Sequence, residues 1–438
     1  MQSGSLIKRT MLDLSRKELA LNGGCPIRVT KWKDNVTTGK EEKDAVLRVM
    51  ESGYLSLFEG SHYPDEPFSF YGGPEVQALE EDWCDYYGVE YALSLNSATS
   101  CLYAAIGALE IGYGDEVIVS PYTMTACALA PLIYGAIPIF ADVDLHTGSM
   151  SAENIEKVLS PKTKAIVIVH QFGIPAEMKS ILSLAKKHNL RVIEDCAQAH
   201  GAKLNDKYVG TFGDIGVFSL NVNKSIQCGE GGICVTEDRE LAYRLALIRN
   251  HGEAVVGPAS YENITNIAGF NYRLTEIQAA IAREQLKKLD ELNMKRLKMV
   301  EYLSAEILSV PFLAPLKGIP EAHSTYYVYP MRYDENKAGV PRDEFVRAIN
   351  AEGALFYQGY TPPLYLQPVY QNRSLFKHGY PFTAKENRDS VQNYKVGICP
   401  NTERLHYKEM IINEHVSHPH GVEDVSDLIN CIKKVVGD

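Results

Sequence analysis

Between residues 75 and 195 the chain alternates short apolar segments with helical ones, and this alternation restricts the fold more than any other feature. The apolar segments have the length of strands and read YALSLN, EVIVS, IPIFADV, KAIVIVH and RVIED. Strands that alternate with helices are typical of a largely parallel sheet with helices on both faces. Because ligands bind at the carboxyl ends of such strands, we expect the functional residues at that edge.

The segment from Val192 to Gly232 carries two residues of complementary chemistry. Asp195 ends the strand RVIED, and Lys224 lies in a polar, glycine-flanked loop after a second apolar strand. Pyridoxal phosphate (PLP) chemistry requires both groups, because the amine forms a Schiff base and the carboxylate keeps the pyridine nitrogen protonated. Taken alone, an acid after a strand is equally a helix cap or loop residue, and a single lysine is usually exposed.

Two motifs within this segment, IEDCAQAHGA and GDIGVFSLNVNKSIQCGEGG, resemble the DegT/DnrJ/StrS family of PLP-dependent sugar aminotransferases. The resemblance covers roughly residues 25 to 435. It implies an α/β, fold type I protein whose mostly parallel, mixed seven-stranded sheet is flanked by helices. The implied units are an N-terminal arm, helix and aromatic loop (1–74), a large PLP-binding domain (75–270), a long connecting helix (271–310) and a small C-terminal α/β domain (311–438).

The resemblance also assigns roles inside the two motifs. Lys224 would hold the cofactor as an internal aldimine and, once released, move the proton between the substrate carbon and the cofactor. Asp195 would bind the pyridine nitrogen, Gln198 the ring hydroxyl and Ser219 the phosphate. These residues form the centre of the predicted site.

The phosphate is expected at the helix that follows the strand YALSLN. Small residues at a helix N-terminus offer free backbone N–H groups to an anion. Ala98 and Thr99 align with the Gly-Thr pair that binds the phosphate in the family, so the resemblance implies that they contact it. The alternative is that Ser97 or Thr99 simply caps the helix.

Asn271, in the motif NYRLTEIQAAI, corresponds to an asparagine that reaches the phosphate of the neighbouring subunit's cofactor in relatives. The resemblance therefore implies a homodimer with shared active sites. An asparagine just before an amphipathic run also suits a helix N-cap. The two roles are compatible.

For three further positions at this edge, the sequence leaves more than one role open. Met124 stands where family members usually have an aromatic residue that stacks on the pyridine ring. A thioether can pack against an aromatic face, so either Met124 or Tyr122 takes that role. His170 ends the strand KAIVIVH, but a single histidine after an apolar run is more often a hydrogen-bonded core residue than a catalytic one.

The stretch SLFEGSHYPDEPFSFYGGP mixes aromatic residues with glycine and proline and is predicted to be a loop. Its rings could line a pocket or merely pin the loop to the protein; they are Tyr54, Tyr63, Phe68 and Tyr71.

The reaction implied by the family is amino transfer from glutamate or glutamine to a keto sugar, with ping-pong kinetics. The acceptors considered are a nucleotide-linked keto hexose and an 8-oxo octulosonate, which gives 8-amino-3,8-dideoxy-manno-octulosonate for lipopolysaccharide. The segment LNGGCPIRVTKW resembles the arm of relatives that aminate inososes to aminocyclitols, which keeps that acceptor open. An anionic acceptor would need a basic residue, for which Arg28 and Arg273 are candidates.

The composition excludes several classes of partner. The formal net charge of −11 leaves no basic excess to neutralise nucleic acid or an anionic membrane. The nine cysteines are odd in number and form no C-x-x-C pair, so a full disulfide set is excluded, no metal site is predicted, and a reducing compartment is favoured. The N-terminus lacks a signal-peptide core and no run approaches the roughly 18 apolar residues of a spanning helix, so we predict a cytoplasmic protein.

Other functions fit the sequence less well. Related PLP-dependent sugar dehydratases carry histidine in place of the Schiff-base lysine, whereas this chain has Lys224. A non-catalytic regulator on the same fold would not need to keep the complete set Asp195, Gln198, Ser219, Lys224 and Asn271. An NAD-dependent dehydrogenase would need a G-x-G-x-x-G turn after a strand, and the sequence has none.

Overall fold

A seven-stranded sheet forms the centre of the larger part of the protein. The computed structural model describes residues 12–60, 67–257, 259–390 and 392–437. The strands of this part are β1 (Tyr91–Leu95), β2 (Glu116–Val119), β3 (Ile137–Phe140), β4 (Thr163–Val169), β5 (Arg191–Asp195), β6 (Lys203–Leu204), β7 (Lys207–Tyr208), β8 (Ile215–Ser219) and β9 (Gly232–Thr236). The main sheet has the order β1-β9-β8-β5-β4-β2-β3, and β6 and β7 form a separate hairpin.

The direction of the strands confirms the predicted fold class. The neighbours from β3 through β2, β4 and β5 to β8 all pair in parallel, whereas β9 runs antiparallel to both β8 and β1. Val217 and Phe218, adjacent on β8, belong to two separate hydrophobic cores. Because successive side chains of a strand point to opposite faces, the sheet is covered on both sides.

Ten helices accompany this sheet in the described part of the chain. They are α1 (Lys40–Ser52), α2 (Pro74–Tyr87), α3 (Ala98–Ala108), α4 (Ala126–Ile133), α5 (Ala152–Glu156), α6 (Met178–His188), α7 (Arg239–Arg249), α8 (Gly252–Val255), α9 (Glu276–Leu286) and α10 (Leu289–Ile307). The serine and threonine caps that begin several of them are readable in the sequence. Ser97, Ser151 and Thr275 each accept a hydrogen bond from a backbone N–H of the first turn.

The single long connecting helix that was predicted over residues 271–310 is instead two helices. Helix α9 ends at Leu286 and α10 begins at Leu289. The two helices pack against different partners, because α9 lies on α1 and α2 whereas α10 lies on the C-terminal helix. A break at residues 287–288 lets each helix bury its own apolar side.

The smaller part of the protein is built on a second sheet. Its strands are β10 (Leu313–Pro315), β12 (Tyr329–Tyr333), β13 (Tyr357–Gln358) and β14 (Met410–Asn413), in the order β10-β12-β14-β13, while β11 (Ala322–His323) pairs with β6 of the larger part. The remaining helices are α11 (Glu335–Ala338), α12 (Arg342–Ala351), α13 (Pro368–Gln371), α14 (Pro400–Arg404) and α15 (Val422–Val436).

The segment 364–399, predicted to belong to the small domain, packs on the larger part. Its residues Tyr370 and Tyr394 share the hydrophobic core of the main sheet and contact the ring of Phe140 on the edge strand β3. Gln392 accepts a hydrogen bond from Phe140 N (2.8 Å) and donates one to Phe140 O (3.1 Å). The segment therefore satisfies and covers an edge strand that would otherwise be open.

The N-terminal arm joins the two parts. Leu19 is buried in the core of the smaller part, and the Trp32 indole N–H donates to Gly353 O (2.8 Å). Further along, Thr37 donates to Gln285 Oε1 on α9 (2.6 Å). The arm thus runs from the smaller part to helix α9 of the larger one.

Three general predictions can be compared with the structure. None of the nine cysteines, all of which lie in the described ranges, forms a disulfide. Among residues 12–60, 67–257, 259–390 and 392–437, no helix is both long and apolar enough to cross a membrane. In the aromatic loop, Tyr54 and Phe68 contact each other edge to face and Tyr71 contacts Phe70, whereas Tyr63 lies outside the described residues.

Candidate active site

The carboxyl ends of β4, β5 and β8 bring the predicted residues to one edge of the sheet. These three strands are parallel neighbours, so their last residues meet at the same edge. Asp195 is the last residue of β5 and Ser219 is the last residue of β8. Lys224 follows β8 in a turn in which its N–H donates to Asn221 O (2.9 Å).

Asp195 is buried and accepts two hydrogen bonds from the chain. Its Oδ1 accepts from Ala197 N (2.9 Å) and its Oδ2 accepts from the Cys127 thiol (3.0 Å). Burial and the nearby Asp195 charge raise the pKa of Cys127 well above its ordinary value, so the thiol keeps its proton and donates. Sequence reasoning missed Cys127, because it lies within an apolar helix and carries no local signal of a polar contact.

The Lys224 amine is also buried, with 9% of the residue exposed. Burial lowers its pKa below 10.5, and the Asp195 carboxylate opposes that shift. The amine nitrogen lies 4.6 Å from the centroid of the Tyr327 ring. Asp195 and Lys224 therefore both lie buried at the sheet edge where β5 and β8 end.

Gln198 has one fixed orientation. Its Oε1 accepts from Phe172 N (2.8 Å), and a backbone N–H can only donate, so this contact identifies the oxygen. Its Nε2 donates to the Tyr360 hydroxyl (3.0 Å). One N–H of the amide is left to donate to a ring oxygen. Tyr360 is a second residue that the sequence did not single out.

Helix α3 forms the end of the site that suits a phosphate. Ser97 caps the helix by accepting from Ser100 N (3.0 Å), which settles the capping alternative in favour of Ser97 rather than Thr99. Ala98 and Thr99 then occupy the first turn, and Thr99 is exposed. A Cβ at Gly232 would lie 2.5 Å from Ala98 N, so only glycine lets β9 approach the start of this helix.

The donor set fits pyridoxal phosphate. A buried amine, a buried carboxylate, a free amide N–H and the first-turn N–H groups of α3 match its aldehyde, ring nitrogen, ring hydroxyl and phosphate. Ser219 Oγ is buried and, among the described residues, its one hydrogen bond is a long one that it accepts from Asn221 N (3.3 Å), so its own proton can be donated. The residues that would hold the cofactor are Lys224, Asp195, Gln198, Ser219, Ala98 and Thr99.

The ring-stacking position favours Met124. Met124 is 54% exposed, whereas Tyr122 is fully buried and packs against Tyr360 and His406 between the two parts of the protein. Tyr122 is therefore turned into the core, and contact between Met124 and the pyridine ring stays a prediction.

Asn271 is exposed and is not a helix cap, because Thr275 caps α9. Its Oδ1 accepts from Arg273 Nε (2.8 Å), and its carbonyl accepts from Asn96 Nδ2 (3.3 Å). Asn96 immediately precedes the phosphate end of α3. The predicted contact of Asn271 with a neighbouring subunit's cofactor stays a prediction.

His170 has a structural role. Its Nδ1 accepts from Ala176 N (3.0 Å), so the proton is on Nε2, which donates to Glu194 Oε2 (2.9 Å). Glu194 also accepts from the backbone N–H groups of Gly210, Phe212 and Gly213 (2.7–2.9 Å). Burial raises the pKa of Glu194, but these hydrogen bonds outweigh it and hold the pKa below 4.5. The network fixes the strand end that carries Asp195.

Arg28 is not available to an anionic substrate, which corrects one prediction. Its guanidinium pairs with Asp424 (2.9 Å) and Asp427 (2.7 Å) on α15 and lies 3.9 Å from the centroid of the Trp32 ring. Its charge is neutralised within the arm contact. Arg273 remains the basic candidate.

Known proteins are similar to this chain in fold and in sequence. Residues 67–404 match the model of the DegT/DnrJ/EryC1/StrS aminotransferase family. The chain is 29% identical over 404 residues to the spore coat polysaccharide biosynthesis protein SpsC of Bacillus subtilis, covering 91% of this chain and 95% of SpsC. An aminotransferase of Psychrobacter cryohalolentis superimposes with a TM-score of 0.78 at 27% identity, over 93% of this chain and 100% of that one.

Helicobacter pylori PseC, an aminotransferase involved in the biosynthesis of pseudoaminic acid, superimposes with a TM-score of 0.75 at 27% identity, over 93% of this chain and 100% of PseC. The family match spans residues 67–404, which is most of the chain. The chain belongs to the DegT/DnrJ/EryC1/StrS aminotransferase family and is a transaminase that uses pyridoxal phosphate.

Proposed function

We propose that the enzyme transfers an amino group from glutamate or glutamine to a keto sugar in amino-sugar or polysaccharide biosynthesis. The observation that carries the proposal is the burial of both Lys224, in the turn after β8, and Asp195, at the end of the neighbouring strand β5. SpsC is named for spore coat polysaccharide biosynthesis and PseC for pseudoaminic acid, which supports a sugar as the acceptor.

The chain's own residues would hold and move the protons of this reaction. When bound, pyridoxal phosphate supplies an electron sink for the carbanion formed at the substrate carbon. Lys224 Nζ must be neutral to take a proton from that carbon, and burial favours the neutral form by lowering its pKa, although Asp195 opposes this. Asp195 would hold the proton of the ring nitrogen, oriented by Ala197 N–H and the Cys127 thiol.

Within the keto sugars, we propose a nucleotide-linked keto hexose or an 8-oxo octulosonate, the latter for lipopolysaccharide. An inosose is the second candidate, because the arm segment LNGGCPIRVTKW resembles the arm of relatives that aminate inososes and precedes a contact with the lysine loop, residues 220–231. Asn35, just after this segment, has its Nδ2 at 3.5 Å from Lys224 O. The arm therefore lies where it can influence the choice of acceptor.

We also propose a homodimer with shared active sites in a reducing cytoplasm. Asn271 and Thr99 are both exposed beside the phosphate end of α3, which leaves them accessible to a second subunit. The nine free cysteines support a reducing compartment.

The test is a panel of keto sugars and inososes offered to the cofactor-loaded enzyme with glutamate or glutamine, and the readout is the keto acid released from the donor. Lys224→Ala is expected to lower turnover at least about 10²–10⁴-fold. Lys203→Ala is the matched control, because Lys203 also lies on a tyrosine ring, 4.3 Å from the centroid of Tyr208, but outside the site. Normal turnover by the Lys224 variant would refute the assignment, and no turnover of any acceptor by the wild type would favour a regulator.

A further inference from the structure

The Lys224 amine lies against the face of the Tyr327 ring. The distance from Nζ to the ring centroid is 4.6 Å, within the range at which a ring attracts a cation. Tyr327 comes from the segment between β11 and β12, which leads into the sheet of the smaller part. The Tyr327 ring and the Lys224 amine therefore belong to different parts of the protein.

A single turn after β4 holds Tyr327 in place. Tyr327 N donates to Phe172 O (2.8 Å), and Thr325 N donates to Gly173 O (2.9 Å). Gly173 has a φ of +82°, and a Cβ there would lie 2.7 Å from Tyr326 N and 2.9 Å from Tyr327 N. Because Phe172 N also donates to Gln198, the same turn fixes both the amide and the ring.

The lysine loop is fixed from its other side by Arg296 of α10. Arg296 Nη1 donates to Ser225 Oγ (3.0 Å), the residue after Lys224, and to Asn293 Oδ1 (3.1 Å). Arg296 is buried and has no ion pair with a carboxylate in the described part of the chain. These hydrogen bonds hold the Ser225 side chain against α10, whereas the Lys224 amine itself lies on the Tyr327 ring.

We propose that Tyr327 is a positioning residue that holds the protonated Lys224 amine on its ring face and releases it when the proton is lost. This inference rests on the proposed role of Lys224 as the amine that binds the cofactor. A ring face attracts an ammonium group but not a neutral amine. The contact therefore keeps the resting amine in one orientation and ends when the amine is ready to react.

Other titratable groups surround this pair. Asp195 favours the charged amine. His200 is neutral, because burial, together with the Lys224 and Arg296 charges, lowers its pKa to about 3. Burial and the Glu414 charge raise the pKa of Tyr327 to about 12, against the effect of Arg296, so the phenol keeps its proton. Of these groups only the ring face and Asp195 favour the ammonium form of Lys224.

The test measures how fast cofactor-free protein forms its imine with added pyridoxal phosphate, followed by absorbance in a stopped-flow instrument across pH. Tyr327→Phe keeps the ring face and is expected to keep the pH midpoint of this rate. Tyr327→Leu removes the face, and its midpoint is expected about 0.4–1.5 pH units lower, because the ammonium form loses its support.

A second variant covers the case in which the leucine protein does not fold. Trifluorophenylalanine at position 327, placed by nonsense suppression, keeps the shape of the ring but withdraws its electrons, and it should shift the midpoint in the same direction as leucine. A midpoint unchanged in both variants would overturn the proposal. An equal shift in Tyr327→Phe would also overturn it, since the hydroxyl would then be responsible.

Lys224→Ala separates this proposal from the proposed function. The alanine protein should show no imine band with pyridoxal phosphate. A band of normal size in that variant would disprove the lysine assignment itself, whereas its absence together with unshifted Tyr327 variants would disprove only the positioning role.

Discussion

Replacing Glu194 by glutamine tests whether the strand end that presents Asp195 is held by charge and hydrogen bonding. The carboxylate is fully buried and accepts from three backbone N–H groups and from His170 Nε2. A glutamine amide has one oxygen to accept with, and its NH₂ group would face two of those donors. His170 cannot relieve the conflict by moving its proton, because Nδ1 already accepts from Ala176 N.

The expected loss of stability follows from the number of donors that are left without an acceptor. Each buried donor left without an acceptor costs about 1–3 kcal/mol, so two such donors cost about 2–6 kcal/mol, with about 3–5 kcal/mol as the central range. We expect Glu194→Gln to lower the free energy of unfolding by about 3–5 kcal/mol. For a folding unit of some 300 residues this corresponds to a fall of roughly 5–8 °C in the midpoint of thermal unfolding.

The pH dependence gives a second readout. The pKa of Glu194 is held below 4.5 in the fold, so its stabilising contribution is present above pH 4.5 and is lost as the pH falls through the folded value. The wild-type midpoint should therefore drop more steeply below pH 4.5 than that of the glutamine variant.

The assay is differential scanning fluorimetry and calorimetry of both proteins from neutral pH to pH 4. Glu153→Gln is the matched control, because that carboxylate pairs with Lys157 at the surface and is 81% exposed. Its expected change is within about 0.5 kcal/mol. A change of less than about 1 kcal/mol for Glu194→Gln, or equal changes in both variants, would refute the reasoning.

Two further substitutions test how Gln198 is held. Gly173→Ala would place a Cβ 2.7 Å from Tyr326 N and 2.8 Å from Gln198 O. We therefore expect cofactor binding to be at least about tenfold weaker when measured by equilibrium dialysis, and an unchanged affinity would contradict this. Tyr360→Phe removes the acceptor of Gln198 Nε2 and should weaken cofactor binding about 2–10-fold. The control is Tyr134→Phe, which should not weaken binding, because the Tyr134 hydroxyl has no hydrogen-bond partner in the described part of the chain. Equal losses in both variants would contradict the role of Tyr360.

The sheet and the outline of the site were predictable from local patterns. Each strand from β1 to β5 is a short apolar run closed by polar or turn residues, and the parallel arrangement places their carboxyl ends together whatever the details of the loops. Asp195 and Ser219 lie at the strand ends the pattern indicated. Ser97 caps α3 as its residue type suggests.

Contacts between distant segments were not predictable. Cys127, Tyr327 and Tyr360 reach the site from an apolar helix and from the C-terminal half, and nothing local distinguishes them from core residues. Arg28 looked free in the sequence, but its two carboxylate partners lie some four hundred residues away, on α15. Only the folded chain shows that its charge is already satisfied.

The break in the connecting helix and the position of segment 364–399 have the same cause. Residues 287–288 carry no proline or glycine, so local propensity gives no reason to end a helix there. The break is set by the different surfaces on which α9 and α10 lie. Segment 364–399 likewise lies in the part of the sequence that was assigned to the small domain, but it packs on the edge strand β3, which comes more than two hundred residues earlier in the chain.

The exposure of the cysteines makes it possible to label the N-terminal arm with a spectroscopic probe. Of the nine cysteines, Cys25 is exposed, Cys84 is half-buried with its pKa raised to about 11 by burial, and the others are buried. A maleimide fluorophore would therefore attach to the unmodified chain mainly at Cys25, seven residues before Trp32 on the same arm. Energy transfer or anisotropy from that label would report on the environment of the arm in solution, without a cysteine-free background.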